Sequence, residues 1–139
     1  MSSFYTTRRV EFHDTDAAGI MHFSAYFQFM EEAEHELLRR LGLSVLMHDD
    51  EGSISFPRVA AQCDYRGALR FEDEVEIGVS LARRGEKSVT WRFQFRRQGQ
   101  DVAEGSITAV CCRLDPRAPP KSIPIPAWIA DKLGSIAPA

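Results

Sequence analysis

Two carboxylates stand two residues apart in Asp14-Thr15-Asp16-Ala17-Ala18-Gly19, and a helical pattern begins a few residues later, at Phe23-Ser24. The spacing matters because a helix N-terminus presents unpaired N–H groups and a partial positive charge. Such a terminus can polarise a carbonyl and hold the oxyanion that forms when the carbonyl is attacked. A carboxylate arriving from the preceding loop can attack that carbonyl, or deprotonate a water that does. Gly19 would let the backbone approach a ligand closely. The same residues also read as an ordinary turn in which Asp14 and Asp16 satisfy loop N–H groups. His22 is the one histidine beside this helix start, and alone it reads as a structural donor. Glu31, two turns into the helix, is a second candidate acid or base or simply a solvated side chain.

Other chemistries find little footing. His13, His22, His35 and His48 have no metal-ligand spacing, and no P-loop or G-x-G-x-x-G occurs. Three cysteines, two of them adjacent (Cys111 and Cys112) and none in a C-x-x-C, argue against a disulfide framework or a zinc site. Cys63 reads as core, and a reducing cytoplasm is the expected compartment. The chain of 139 residues, 44% hydrophobic and 27% charged, fits one soluble domain over residues 1–139. No apolar run approaches the roughly 18 residues of a membrane span, and the first residues lack an apolar stretch of signal-peptide length. A net charge of −3 conceals a basic stretch: residues 83–121 hold nine Lys/Arg against four Asp/Glu. That stretch suggests a phosphate-bearing partner, or else a solvated sheet face with its turns. The overall balance and the lack of a recognition motif argue against nucleic acid.

The elements that must position these residues follow from hydrophobic period. Residues 4–13 alternate as a strand, with Phe4, Thr6, Arg8, Val10 and Phe12 the more apolar set. From about Ser24 to Leu41, Tyr26, Met30, Ala33, Leu37 and Leu41 form one helical stripe, and Gly42 is placed for a left-handed cap. Strands are expected over 54–66, around 75–81 and 89–95, and over 102–114, with a phase slip and bulge near Gly105. Pro119 to Pro126 read as a loop before a short helix, 126–134. Consecutive strands with tight turns give an α+β fold with an antiparallel sheet. One apolar helix covers only one face of a five-stranded sheet, so a second copy is expected.

The run Val10-Glu11-Phe12-His13-Asp14-Thr15-Asp16-Ala17-Ala18-Gly19-Ile20-Met21-His22-Phe23-Ser24-Ala25-Tyr26, followed by Glu31 and Leu41-Gly42, resembles the 4-hydroxybenzoyl-CoA thioesterase family. Asp64-Tyr65-Arg66, the strand entry at Phe71-Glu72-Asp73-Glu74-Val75, Gly85-Glu86-Lys87-Ser88 and Ile123-Pro124 extend the likeness over essentially the whole chain. The resemblance implies a hot-dog fold, a five-stranded antiparallel sheet wrapped around one long helix. It also implies a homodimer at minimum, with tetramers expected, and active sites at the dimer interface. It assigns the catalytic carboxylate to Asp16 and an oxyanion-hole N–H to about Phe23, with His22, Gly19 and Tyr26 lining the site and Asp14 bracing the loop. Coenzyme A then answers the basic stretch as part of the substrate. Lys87 matches a nucleotide-contacting position, while Arg83 and Arg84 substitute by proximity, because Gly85 and Glu86 stand where some members have arginine. Arg96 and Arg97 fall at the opposite end of the sheet.

The expectation is hydrolysis of an acyl-CoA thioester to a free acid and CoA without a metal or redox cofactor. Its rivals are a hydratase or dehydratase using His22 with Asp16, and a catalytically silent acyl-CoA or lipid binder. The acyl group, aromatic or aliphatic, and a carrier-protein thioester in place of CoA are left open by the residues.

Overall fold

Apolar residues at alternate positions of 75–81 and 89–95 need a common partner surface, and the long helix supplies it. In the computed structural model, which describes residues 3–138, five strands pair antiparallel in the order β1 (Phe4–Arg9), β5 (Glu74–Arg84), β6 (Ser88–Arg97), β7 (Gln100–Val110) and β4 (Arg58–Tyr65). Helix α1 (Ala25–Arg40) lies against this sheet and buries Tyr26, Met30, Ala33 and Leu37 on it, with Ile77, Phe93, Phe95 and Ile107 among the sheet residues in the same core. Sixteen residues make about 24 Å of helix. Gly42, at φ +76°, ends it as expected, and the Leu43 N–H closes back on the Leu38 carbonyl.

Several boundaries differ from the sequence expectation. The strand read over 54–66 is two, β3 (Gly52–Ser55) and β4, because Phe56-Pro57 interrupts the run and Pro57 has no N–H for a ladder. The strand read over 102–114 is likewise β7 and β8 (Cys112–Asp115). Cys111 separates them: its N–H donates to the Lys87 carbonyl and its own carbonyl accepts the Ile123 N–H, which redirects the chain. A second, four-stranded sheet results, in the order β2 (Leu46–Asp49), β3, β8 and β9 (Ala118–Ser122). The expected fold had only the five-stranded sheet. Pro119 and Pro120 sit in β9, an edge strand where a missing N–H costs nothing, and not in a loop. Arg113 on β8 holds the Asp49 carboxylate through both oxygens, at 2.6 and 3.1 Å, and so keeps that carboxyl below its ordinary pKa.

The phase slip is real but misplaced. Phe95 pairs with Ala103 and Arg96 with Asp101, so the extra residue is Val102, whereas Gly105 pairs regularly with Phe93 and Cys63. Gly105 is glycine for another reason: a Cβ there would lie 2.1 Å from Met30 Cε and 3.0 Å from the Gln62 carbonyl oxygen. The short helix α2 (Ala127–Leu133) buries Ile129 and Leu133 in the core. Cys63, Cys111 and Cys112 are free thiols, and Cys63 is only partly buried on β4. No helix among the described residues is long and apolar enough to cross a membrane.

Candidate active site

The segment between β1 and α1 is held by its own polar groups. A short 3-10 turn, Phe12–Asp14, follows β1, and buried Asp14 accepts the Glu11 N–H at 2.9 Å. Asp14 therefore braces the loop. Asp16 closes the next turn: its N–H donates to the Ile20 carbonyl, its carbonyl accepts the Gly19 N–H, and its Oδ1 accepts the Ala18 N–H at 2.8 Å. Gly19 sits at φ +79°, where a side chain would be strained, and Arg70 reaches its carbonyl at 3.4 Å. One carboxylate oxygen of Asp16 thus carries a turn bond while the residue stays partly open to solvent.

The helix start is arranged to leave donors unused. Ser24 N–H donates to His22 Nδ1 at 3.1 Å, Ala25 N–H to the His22 carbonyl and Phe27 N–H to the Ser24 carbonyl. Among the described residues the N–H groups of Phe23 and Tyr26 have no such partner. The His22 ring is fixed by Ser24 and by stacking on Phe23 at 4.5 Å, which makes it a holder of the helix start. Tyr65, at the end of β4, donates its hydroxyl to the Phe23 carbonyl at 2.8 Å and packs edge-on against buried Tyr26. Burial pushes the pKa of both phenols up to about 12, so each stays a neutral donor at physiological pH. The loop, the free N–H groups and the Tyr65 anchor share one end of the sheet.

Lys87, Arg83 and Arg84 are elsewhere. β1 leaves the sheet where Arg9 pairs with Glu74, at the start of β5, while Arg83 and Arg84 end that strand and Lys87 lies in the turn beyond. Ten residues of strand are about 33 Å. Within one chain these cations do not reach the Asp16 loop, and Arg84 already donates to the Ala130 carbonyl of α2 at 2.9 Å. Arg96 and Arg97 do sit at the Asp16 end, paired to Asp101 and Asp73.

A further cluster escaped the sequence reading. Glu34, buried on α1, takes both guanidinium nitrogens of Arg58 at 2.5 and 2.9 Å, beside a cavity of about 230 Å³ formed by the second half of α1, the 55–58 segment, β6 and α2. The signal was present, since Glu34 continues the Met30–Leu38 row at i+4 spacing. Glu31, exposed, stands 3.8 Å from the same Arg58. Among the described residues no group of three or more His, Cys, Asp or Glu side chains is placed to hold a metal ion.

Comparison with known proteins agrees with this architecture. The chain is 26% identical over 134 residues to the 1,4-dihydroxy-2-naphthoyl-CoA hydrolase of Synechococcus elongatus, covering 96% of each. A gentisyl-coenzyme A thioesterase structure is 32% identical, with a TM-score of 0.80 over 94% of this chain and 99% of that one. The 1,4-dihydroxy-2-naphthoyl-CoA thioesterase of Synechocystis shares the fold, with a TM-score of 0.83 at 21% identity over 96% and 97% of the two chains. The model of the thioesterase-like superfamily matches residues 10–133. With its hot-dog thioesterase architecture, the chain belongs to the thioesterase-like superfamily, a family of thioester hydrolases.

Proposed function

We propose that the protein hydrolyses an acyl-CoA thioester to a free acid and CoA at the loop between β1 and α1, with Asp16 as nucleophile or general base. The observation that carries this reading is the pairing of a partly exposed carboxylate with a helix start whose Phe23 N–H is left unbonded. That N–H and the helix dipole would hold the oxyanion as the carbonyl becomes tetrahedral. The thioester C–S bond then breaks and CoA leaves as its thiol. Attack by Asp16 would first form an anhydride that water opens; as a base, Asp16 would instead take a proton from the attacking water. Either route needs a carboxylate, a water and fixed donors, and calls on no metal or redox cofactor. His22 is bonded to Ser24 and stacked on Phe23, which favours hydrolysis over hydration.

The working unit in this proposal is at least a dimer of a single domain, joined through β4. Of the two sheet edges, β1 carries Arg8 and Arg9, whereas Val59 to Cys63 on β4 are uncharged and mostly exposed. Two-fold pairing of β4 with itself runs antiparallel, so the Arg58 end of one copy meets the Tyr65 end of the other. Arg58 shares its end of the sheet with Ser88 and Val110. The Lys87 turn of one copy is thereby carried toward the Asp16 loop of the other, which answers the separation within one chain. The relatives that act on CoA thioesters, and the basic 83–87 segment, support CoA as the carrier. The free cysteines suit a reducing compartment.

The test is thiol release from a panel of short, long, benzoyl and hydroxylated aryl CoA esters. Asp16→Asn should retain its fold by circular dichroism and lose about 10³-fold or more in turnover of the preferred ester. Wild-type rates in Asp16→Asn would refute the assignment, and tight binding with no thiol release by the wild type would favour a silent binder.

A further inference from the structure

We propose that Tyr65, through its hydroxyl, is the positioning residue for the oxyanion donor at the start of α1. The inference rests on the hydrolysis reading above and deepens it, by naming the side chain that aims the Phe23 N–H. The four backbone groups nearest that N–H are all engaged. The His22 N–H donates to the Asp14 carbonyl at 2.7 Å, the His22 carbonyl accepts the Ala25 N–H at 2.9 Å, and the Ser24 N–H donates to His22 Nδ1 at 3.1 Å. The Phe23 carbonyl accepts the Tyr65 hydroxyl at 2.8 Å. The first three bonds are local, made within residues 14–25, whereas the fourth ties Phe23 to a strand 42 residues further on. Packing does little to hold Phe23, which is 64% exposed and stacks on His22.

Tyr65 can serve as an anchor because its own position is fixed. It is the last residue of β4, opposite Ala103 on β7, and the next two N–H groups, of Arg66 and Gly67, close on the Val102 carbonyl at 2.8 and 3.0 Å. Its ring stands edge-on to Tyr26 at 4.9 Å, and buried Tyr26 stands edge-on to Phe95 of β6 at 5.3 Å. Contact thus runs from the sheet core through two rings and one hydroxyl to Phe23. A donor that meets developing charge acts in the transition state and little in the bound ester. Misplacing such a group by about 1 Å can cost on the order of 10²-fold. Loss of the hydroxyl therefore lowers kcat and spares KM.

Tyr65→Phe tests this, because it keeps the ring on Tyr26 and removes only the donor. With the preferred ester of the CoA panel, kcat should fall about tenfold or more while KM stays within about twofold. In the Asp16→Asn background the same substitution should leave binding of that ester unchanged in stoichiometry and within about twofold in Kd. That result sets positioning apart from a loss of folded protein. Amide hydrogen exchange gives a readout independent of turnover: the Ser24 and Ala25 N–H groups should exchange about tenfold faster in Tyr65→Phe, with the β5 and β6 amides unchanged. A wild-type kcat, or unchanged exchange at Ser24 and Ala25, overturns the proposal. Should Tyr65→Phe fail to fold, Tyr65→Gln, too short to reach the Phe23 carbonyl, carries the same expectations and the same refutations. Asp16-dependent thiol release with kcat unmoved by Tyr65→Phe sinks the positioning role and leaves hydrolysis standing. No release by the wild type from any ester sinks hydrolysis and the oxyanion role with it, while faster exchange would still show Tyr65 holding the helix start.

Discussion

The two ends of α1 handle polar groups in opposite ways. At the N-terminal end, Asp16, Phe23 and Ser24 are partly or fully exposed, and donors are left unspent beside a loop that is braced from within by Asp14 and Gly19. Toward the C-terminal end, a carboxylate is buried to 3% side-chain exposure, paired with Arg58 through both oxygens and set against apolar walls. The first arrangement leaves a carboxylate and N–H donors open to solvent, as the proposed chemistry requires. The second fixes the shape of a cavity, because a buried charge tolerates only the geometry that satisfies it. On the proposed reading, function on one helix is divided between a reactive end and a shaped end.

The largest effect on stability should come from breaking the shaped end. Arg58→Met leaves Glu34 buried without its partner and should cost about 3–5 kcal/mol in denaturant unfolding. The double variant Arg58→Met/Glu34→Leu should recover most of that loss, since an apolar pair replaces the ion pair. A double variant no better than the single one would show that the pair does more than satisfy its own charges.

Between the ends, Met30 over Gly105 sets the spacing of helix and sheet. Gly105→Ala should destabilise by about 1–3 kcal/mol, because the methyl meets a backbone carbonyl as well as the movable Met30 tip. Full stability in that variant would mean the helix shifts freely, which would weaken the contrast between a fixed and an open end.

The smallest effect belongs to the reactive end and is read through pH. Tyr26 and Tyr65 titrate near 12 in the folded chain against an ordinary value of 10. Their raised pKa values favour folding fully below pH 10, and that contribution should drain away as pH rises from 10 to 12. Tyr65 is 44% exposed, so solvent screens most of its share and Tyr26 should dominate. Tyr26→Phe should flatten the stability profile over that window in thermal unfolding, while an unchanged slope would place the alkaline loss elsewhere.

These regions also differ in how much of them could be read from the chain. The reactive end is local in sequence: two aspartates, a glycine that needs positive φ and a helix start fall within a dozen residues, so Asp16, Gly19 and Phe23 were visible. The shaped end is not. Glu34 stood out of place in an apolar row, but its partner Arg58 lies 24 residues on, past the Phe56-Pro57 break that the alternation did not reveal. Gly105 was legible as an irregularity and misread as its cause, since Met30 is 75 positions away and only the packed sheet brings them together. The small sheet was missed for a related reason, because its strands of four or five residues are too short for a period-two signal, and β9 contains two prolines.

In the proposed dimer, the reactive end of one copy works with the opposite end of another. Subunit complementation tests it most directly. Asp16→Asn and the charge-reversed Arg83→Glu/Lys87→Glu variant, each nearly inactive alone at low acyl-CoA concentration, would be unfolded together and refolded as a mixture. A site shared across the two-fold axis leaves each mixed dimer with one intact site, so the mixture should regain about a quarter of wild-type thiol release. A mixture as inactive as its components would place the whole site within one chain and contradict the account.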